Sequence, residues 1–320
     1  MVVTTTPVFL WSILNLGPVT ETFTAAPSCA TKTDGVMIAS KLASSNETVL
    51  VANYPGTCGK FIQVGDCMPL GSKRDEHFKS KDPLQYDTEN YLRLWVYSPG
   101  LFCPSGWTTA GAVTRQADGS IASPTGFFAP EPSVNLSVAL LTNGMIPPAT
   151  VIATALEPGE TAAACCPESW PVLRNGECYS PMPTDKFPAT AGCATRPVEA
   201  SGFYSTITTT IDVGSLTSAS AELITPTYTG KGSLVTTTWT GTAAKHSAVT
   251  VMPAVVLVHK SEDAAKTTGG GSSGGAGGGG TGTNAAVAMR PGGPDPKALG
   301  GLALVVMTAV MAGAAVMMPW

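Results

Sequence analysis

The chain has 320 residues, enough for two domains or for one domain with tails. Only 12% of the residues are charged, about half the usual share, and the net charge of −4 argues against nucleic-acid binding, which needs clustered Lys and Arg. The 35 Gly and 26 Pro leave little room for long regular helices.

Residues 1–28 precede the first cysteine and resemble a weak secretory signal. Residues 8–14 form an apolar run of seven, at the lower limit for such a signal, and the first basic residue is Lys32. Cleavage before Thr31 would follow small residues but would remove Cys29. Two interpretations are therefore kept: the segment is a signal peptide, or the true start codon lies elsewhere.

Residues 29–260 are predicted to form a Cys-rich, loop-rich β ectodomain. Pro, Gly, Asn and Asp separate short apolar runs in its first part, which predicts short strands. These runs cover residues 48–52, 61–64, 91–97, 134–141 and 150–156. The charged stretch 73–82 mixes both signs and is predicted to be a solvated loop.

All eight cysteines lie in this region, and none forms a C-x-x-C pair, so the common zinc and thioredoxin spacings are absent. An even count in a loop-rich chain predicts disulfide bonds and an oxidising compartment. The candidates are Cys29, Cys58, Cys67, Cys103, Cys165, Cys166, Cys178 and Cys193. Cys165 and Cys166 are expected to bond to different partners, one of them closing a short loop with Cys178, because adjacent Cα atoms are too close for a relaxed disulfide.

Two Asn-x-Ser/Thr triplets are candidate N-glycosylation sites. They begin at Asn46 and Asn135, and neither has a proline in the middle position. In a secreted protein, such sites predict exposed loops.

Residues 203–259 lack cysteine and are rich in β-branched side chains. Alternation in residues 203–213, and similar composition in 234–240 and 248–259, predict further strands. Residues 255–258 are continuously apolar, which is typical of a strand buried on both faces.

The C-terminal part reads as a tether followed by a membrane segment. Residues 261–297 form a Gly-rich linker predicted to be disordered, with nine Gly among the twelve residues 269–280. Residues 298–320 carry no charge, and as one hydrophobic helix they would span ~34 Å, against a ~30 Å bilayer core. They are predicted to contact the membrane.

The same segment also fits a glycolipid-anchor signal, which needs small residues, a spacer and a hydrophobic tail. Asn284 is the candidate attachment residue, and no Lys or Arg follows the apolar segment. Removal of the tail and retention of a single transmembrane helix are the two open possibilities.

No catalytic, cofactor-binding or metal-binding residue is predicted. The common metalloprotease, nucleotide and S-x-x-K signatures are absent, and the two G-x-S-x-G matches fall inside the Gly tract, which cannot build a nucleophile elbow. His77, His246 and His259 are interpreted as surface or structural histidines.

A C-P-x-x-W block occurs twice. It runs from Cys103 to Trp107 and again from Cys166 to Trp170. Each tryptophan could be an exposed platform that stacks on a sugar or a partner. Alternatively, each could pack over a disulfide in a small module with little hydrophobic core, and this second interpretation is favoured.

These elements together resemble a group of uncharacterised fungal cell-surface proteins, which are Cys-rich and Thr/Gly-rich and are anchored to the membrane. The shared features are the LGPVT and TFT elements at residues 16–24, the YSPG-x-x-CPSGW block at 97–107, the CCPESW and ECYS blocks at 165–180, and the strand 256–258 followed by residues 259–261. The resemblance covers roughly residues 14–262 and implies no activity. This chain lacks the basic tail often seen in the group.

The sequence therefore predicts a non-enzymatic, membrane-anchored cell-surface or cell-wall glycoprotein on the extracellular face, with a structural, adhesive or recognition role. Expected partners are the membrane and a cell-wall polysaccharide or another surface protein; neither nucleic acid nor a cofactor is expected. The alternatives are a tail-anchored protein facing the cytosol and an anchored hydrolase.

Overall fold

A computed structural model describes the chain at residues 11–32, 35–41, 47–86, 93–122, 124–129, 147–197, 204–213, 216–226, 230–239 and 246–263. All of these residues belong to one unit, Met1–Ala286. Residues 42–46, 130–146 and 264–320 lie outside the described part. The predicted strand 134–141, the linker and the C-terminal segment therefore stay predictions.

The fold is mainly β, as predicted. The strands are β1 (Ser12–Val19), β2 (Val36–Lys41), β3 (Thr48–Asn53), β4 (Gln85–Tyr86), β5 (Arg93–Gly100), β6 (Trp107–Arg115), β7 (Ile121–Ala122), β8 (Glu160–Pro167), β9 (Glu177–Pro181), β10 (Ala191–Pro197), β11 (Tyr204–Val213), β12 (Leu216–Pro226), β13 (Gly230–Thr238), β14 (His246–Pro253) and β15 (Val255–Lys260). In the described residues the α-helices are α1 (Gly71–Phe78) and α2 (Pro148–Ala155). Short 3-10 turns lie at Pro27–Thr31, Pro55–Thr57, Gly65–Cys67 and Gly126–Phe128.

The strands form two large sheets and a separate hairpin. The six-stranded sheet has the order β1-β5-β15-β8-β6-β7, with β5 parallel to both β1 and β15 and the remaining pairs antiparallel. The seven-stranded sheet, β4-β13-β10-β3-β2-β14-β9, is antiparallel throughout. Strands β11 and β12 pair only with each other among the described strands.

The central strand β15 explains the continuous apolar run at residues 255–258. Val256 and Val258 pack into a cluster that contains Val151 and Ile152 of α2, whereas Val255 and Leu257 pack into a second cluster with Val64 and Met68. Because both faces of the sheet are covered, β15 has no solvent face and no alternating pattern. The prediction of a buried strand here is confirmed.

Two of the connections between the sheets lie next to each other. Only Ala254 separates β14 in the seven-stranded sheet from β15 in the six-stranded one, and its N–H donates to the carbonyl oxygen of Gly176 at 2.9 Å. The disulfide between Cys166 of β8 and Cys178 of β9 is the second connection. The chain therefore crosses between the sheets next to a covalent bond.

Several short predictions differ from the structure. Residues 150–156 belong mostly to α2, because Pro148 begins a helix favourably and Val151, Ile152 and Leu156 recur at helical spacing toward the core. Arg115 supports this helix by donating from Nη1 to the Thr154 and Leu156 carbonyl oxygens at its C-terminal end.

The remaining differences concern one charged segment and one apolar run. Residues 73–78 of the predicted charged loop belong to helix α1, and Arg74 in this helix is buried. Residues 61–64, predicted as a strand, form none. The side chain of Asp75 accepts hydrogen bonds from the backbone N–H groups of Val64 and Gly65. These bonds attach helix α1 to the preceding segment, so a mostly polar helix can still pack against the core.

The folded part begins earlier than residue 29. Residues 12–19, placed before the ectodomain by the sequence, form β1 in the six-stranded sheet. Ile13, Leu16 and Val19 are buried, as is Trp11, which directly precedes the strand. Asn15 fixes this strand: its Nδ2 donates to the Ser98 carbonyl oxygen at 3.1 Å, and its Oδ1 accepts the Ser98 N–H at 3.1 Å. Trp11 and Ile13, which belong to the signal-like apolar run 8–14, are therefore part of the hydrophobic core.

Candidate functional site

All eight cysteines are paired in four disulfides. The pairs are Cys29–Cys67, Cys58–Cys193, Cys103–Cys165 and Cys166–Cys178, with Cα separations of 5.4, 6.0, 5.7 and 5.6 Å. Cys165 and Cys166 bond to different partners and one of them, Cys166, closes the short loop with Cys178, as predicted. The sequence did not choose the other three pairs.

The two C-P-x-x-W blocks adopt the same turn. In each block, the backbone N–H of the tryptophan donates to the carbonyl oxygen of the proline three residues earlier. Both distances, Trp107 to Pro104 and Trp170 to Pro167, are 3.0 Å. The residue before each tryptophan has a positive φ, +74° at Gly106 and +67° at Ser169. The repeated sequence therefore encodes a repeated backbone shape.

The blocks also lie side by side, and their tryptophans cover disulfides. Trp107 pairs with Pro167 across β6 and β8 and is buried with Cys103 and Cys165. Trp170 is half-buried against the cluster that holds Cys166 and Cys178. Trp107 is only 6% exposed, so it is not a surface platform. The favoured interpretation, a tryptophan covering each disulfide, agrees with this packing.

The three histidines lie in different settings. Nδ1 of His77 is 3.1 Å from Nη1 of Arg93, and His246 stacks on Trp239 with ring centroids 4.6 Å apart. His259 is buried on β15, where burial lowers its pKa below the ordinary value despite a hydrogen bond with the Gly100 backbone. The structure does not bring the three histidines into one site.

The remaining candidate modification sites lie outside the described residues. Asn46, Asn135 and Asn284 belong to segments that the structure does not describe. Glycosylation and lipid attachment therefore stay predictions. In the described part of the chain, no group of three or more metal-binding side chains occurs, and none of its helices is long and apolar enough to cross a membrane.

A cleft that the sequence did not predict opens beside the Cys58–Cys193 disulfide. Its volume is about 400 Å³, and its lining includes the aromatic rings of Tyr54, Phe61 and Phe187 and the polar side chains of Thr57, Lys60 and Gln63. The cleft is open to solvent, and its three rings are half-buried. Among the described lining residues, Lys60 is the basic one, and none of these residues is acidic.

The backbone around the cleft is fixed by local hydrogen bonds. Thr57 Oγ1 lies 2.9 Å from the carbonyl oxygens of both Val36 and Tyr54, which share its single proton, and the Thr57 backbone N–H also donates to the Tyr54 carbonyl oxygen. The Tyr54 N–H donates to the Val36 carbonyl oxygen at 3.3 Å. The turn Pro55–Thr57 is thereby tied to strand β2, which sets the position of the Tyr54 ring.

Two aromatic contacts hold the rings of the cleft. Tyr54 and Phe187 meet edge to face with centroids 5.7 Å apart, and Phe61 packs on Phe78 of α1 at 4.7 Å. Such pairs add a modest packing energy and fix ring orientation. No local pattern predicts this grouping, because Phe187 lies more than 120 positions from Tyr54 and Phe61 in the chain.

Comparison with protein-family models, curated proteins and solved structures found no match to this chain.

Proposed function

We propose that this chain is a non-enzymatic, membrane-anchored cell-surface glycoprotein with a recognition role on the extracellular face. The observation that carries the proposal is the pairing of all eight cysteines. Disulfides of this density are typical of secreted and surface proteins and are rare in the reducing cytosol. The Gly-rich residues 261–297 would hold the folded part away from the membrane, which residues 298–320 would engage.

The burial of the cysteines supports a structural role for the four bonds. Cys103, Cys165, Cys166, Cys178 and Cys193 are at most 2% exposed, so these sulfurs are sheltered from solvent. Reactive or regulatory cysteines are usually accessible. Buried disulfides of this kind stabilise the folded chain mainly by restricting the unfolded one.

The test is a thiol-trapping experiment on the full chain in a eukaryotic secretory host. Cells are treated with an alkylating reagent before lysis, and the chain is then digested without reductant and analysed by mass spectrometry. The proposal expects four disulfide-linked peptide pairs and no alkylated cysteine. Eight alkylated cysteines would overturn it and support the cytosol-facing alternative.

The anchor is tested separately on intact cells. Phosphatidylinositol-specific phospholipase should release the chain, and Asn284→Gln should reduce the released fraction if Asn284 is the attachment residue. Recovery of a peptide that contains Met317 and Trp320 from the mature protein would contradict lipid attachment. A retained single-span helix would then remain, and the surface location would not be affected.

A further inference from the structure

We propose that the cleft lined by Tyr54, Phe61, Phe187 and Lys60 binds an acidic saccharide, with a carboxylate beside the Lys60 ammonium and the apolar face of the sugar on the aromatic rings. This inference rests on the proposed function, because an extracellular chain can reach such polymers. It adds a ligand class and a site to a function that was argued from the disulfides alone.

The aromatic side of the cleft offers preformed apolar surfaces. The three rings are half-buried, so each is held by the protein on one side and meets solvent on another. The Tyr54–Phe187 and Phe61–Phe78 contacts fix their orientation before any ligand arrives. Rigid aromatic side chains lose little conformational entropy on binding, so they suit the C–H faces of a sugar ring.

The charged side of the cleft favours an anion. Lys60 Nζ lies 3.4 Å from the Gly56 carbonyl oxygen, which occupies one of its three N–H donors. A second cation is close, because Lys32 Nζ donates to the carbonyl oxygen of the lining residue Gln63 at 2.6 Å. The whole chain has a net charge of −4, so this positive cleft differs from the average surface.

The size of the cleft fits a short saccharide. Its volume of about 400 Å³ lies within the range of small-molecule sites but near the lower end. Because the cleft is open, a longer polymer could enter with one or two units and continue into solvent. A deep apolar pocket would instead favour a fully enclosed ligand.

Gly56 provides a way to block the cleft without disturbing the fold. It lines the cleft, and a Cβ added there would meet no protein atom within 4 Å. Gly56→Trp should therefore start without a backbone clash and place a large ring at the wall of the cleft, which narrows it. Lys60→Gln removes the charge and keeps a polar, unbranched side chain that is one bond shorter.

The matched control is Lys41→Gln. Lys41 is an exposed residue at the far end of β2, ~17 Å along the strand from Val36, which lines the cleft. This variant changes the net charge by the same amount as Lys60→Gln. It separates a local effect of Lys60 from a general effect of charge.

The experiment measures binding of a galacturonic acid tetramer to the full secreted chain by isothermal titration calorimetry. The same tetramer with its carboxylates methyl-esterified is the neutral counterpart. We expect binding of the acidic tetramer only, a roughly tenfold weaker Kd for Lys60→Gln, and loss of binding for Gly56→Trp, because a hydrogen bond to a charged group commonly accounts for a factor of this size. Lys41→Gln should bind like the unmodified chain.

Disulfide mapping of the same sample keeps the two proposals apart. If four disulfides are present and neither tetramer binds, the acidic-saccharide site is overturned and the surface location stands. Equal binding of the esterified tetramer would show that the charge is not recognised and would also overturn the proposal. An equal loss in Lys60→Gln and Lys41→Gln would assign the binding to general electrostatics instead of the cleft.

Discussion

The residue before the tryptophan in each C-P-x-x-W block shows how a single side chain affects the turn. Gly106 and Ser169 occupy the same left-handed position, with φ of +74° and +67°. Glycine adopts this conformation without a steric penalty, whereas an L-residue such as serine is strained there. The second block therefore carries a cost that the first avoids.

Replacing Ser169 with Gly should raise the free energy of unfolding by about 0.5–1 kcal/mol, and Gly106→Ala should lower it by about 1 kcal/mol. Urea unfolding followed by fluorescence measures both changes. Ser105→Gly is the control, because Ser105 is in the same turn without a positive φ. Stabilisation by Ser105→Gly as well would show that the effect does not come from the left-handed backbone.

His259 predicts a pH dependence of stability. Burial lowers its pKa in the folded chain, so the unfolded chain binds a proton more readily. The contribution of neutral His259 is fully present above pH ~6.5 and is lost as the pH falls from there toward the lowered folded pKa, with a slope of at most ~1.4 kcal/mol per pH unit.

Thermal unfolding between pH 7.5 and 5 tests this prediction. His259→Gln should flatten the curve over that range, since it removes the titrating group. His246→Gln, at a half-buried histidine on Trp239, serves as the control. If the His259 variant loses as much stability on acidification as the unmodified chain, the pH dependence has another source.

At the scale of elements, the disulfides differ in what they connect. Cys58–Cys193 joins the residue after the Pro55–Thr57 turn to β10 across 135 residues of sequence, whereas Cys166–Cys178 joins the two sheets across only 12. Loop-closure entropy favours the long connection, while the burial of both partners favours the short one. Comparing the two pairs separates these contributions.

Replacing both cysteines of a pair with Ala should cost about 5 kcal/mol for Cys58 and Cys193 and about 3 kcal/mol for Cys166 and Cys178, as the loop lengths indicate. Guanidinium unfolding of each double variant measures the loss. The chain with all four disulfides is the reference. A larger loss at Cys166 and Cys178 would mean that packing between the sheets outweighs restriction of the unfolded chain.

At the scale of the whole molecule, β1 extends the folded core to residues that precede Cys29. It lies at the edge of the six-stranded sheet beside β5, and it brings Trp11, Ile13, Leu16 and Val19 into the core. Full burial of four such side chains contributes about 6–12 kcal/mol, comparable with the total stability of many domains. A folded part limited to residues 29–260 would leave that surface uncovered.

We therefore expect residues 11–263, expressed under oxidising conditions, to unfold cooperatively, whereas residues 29–263 should not. Near-UV circular dichroism and the amount secreted measure the difference. Ile13→Asp in the longer chain should reproduce the defect, because it places a charge in the same core. Cooperative unfolding of residues 29–263 at an unchanged temperature would show that β1 is dispensable.

Local features of the sequence were sufficient for several conclusions. The mainly β fold follows from short apolar runs between turn residues, and the buried strand β15 follows from the uninterrupted run at residues 255–258. The separate partners of Cys165 and Cys166 follow from the fixed distance between adjacent Cα atoms. Each of these conclusions depends on residues that are neighbours in the chain.

The features that depend on contacts between distant residues were determined only by the tertiary structure. Residues 150–156 became helix because the apolar cluster of the six-stranded sheet offers them a surface, and residues 12–19 became a strand because β5 provides a parallel partner. The cleft combines Tyr54 and Phe61 with Phe187, more than 120 positions away. Contacts of this range depend on which strands pair, and no local periodicity records that choice.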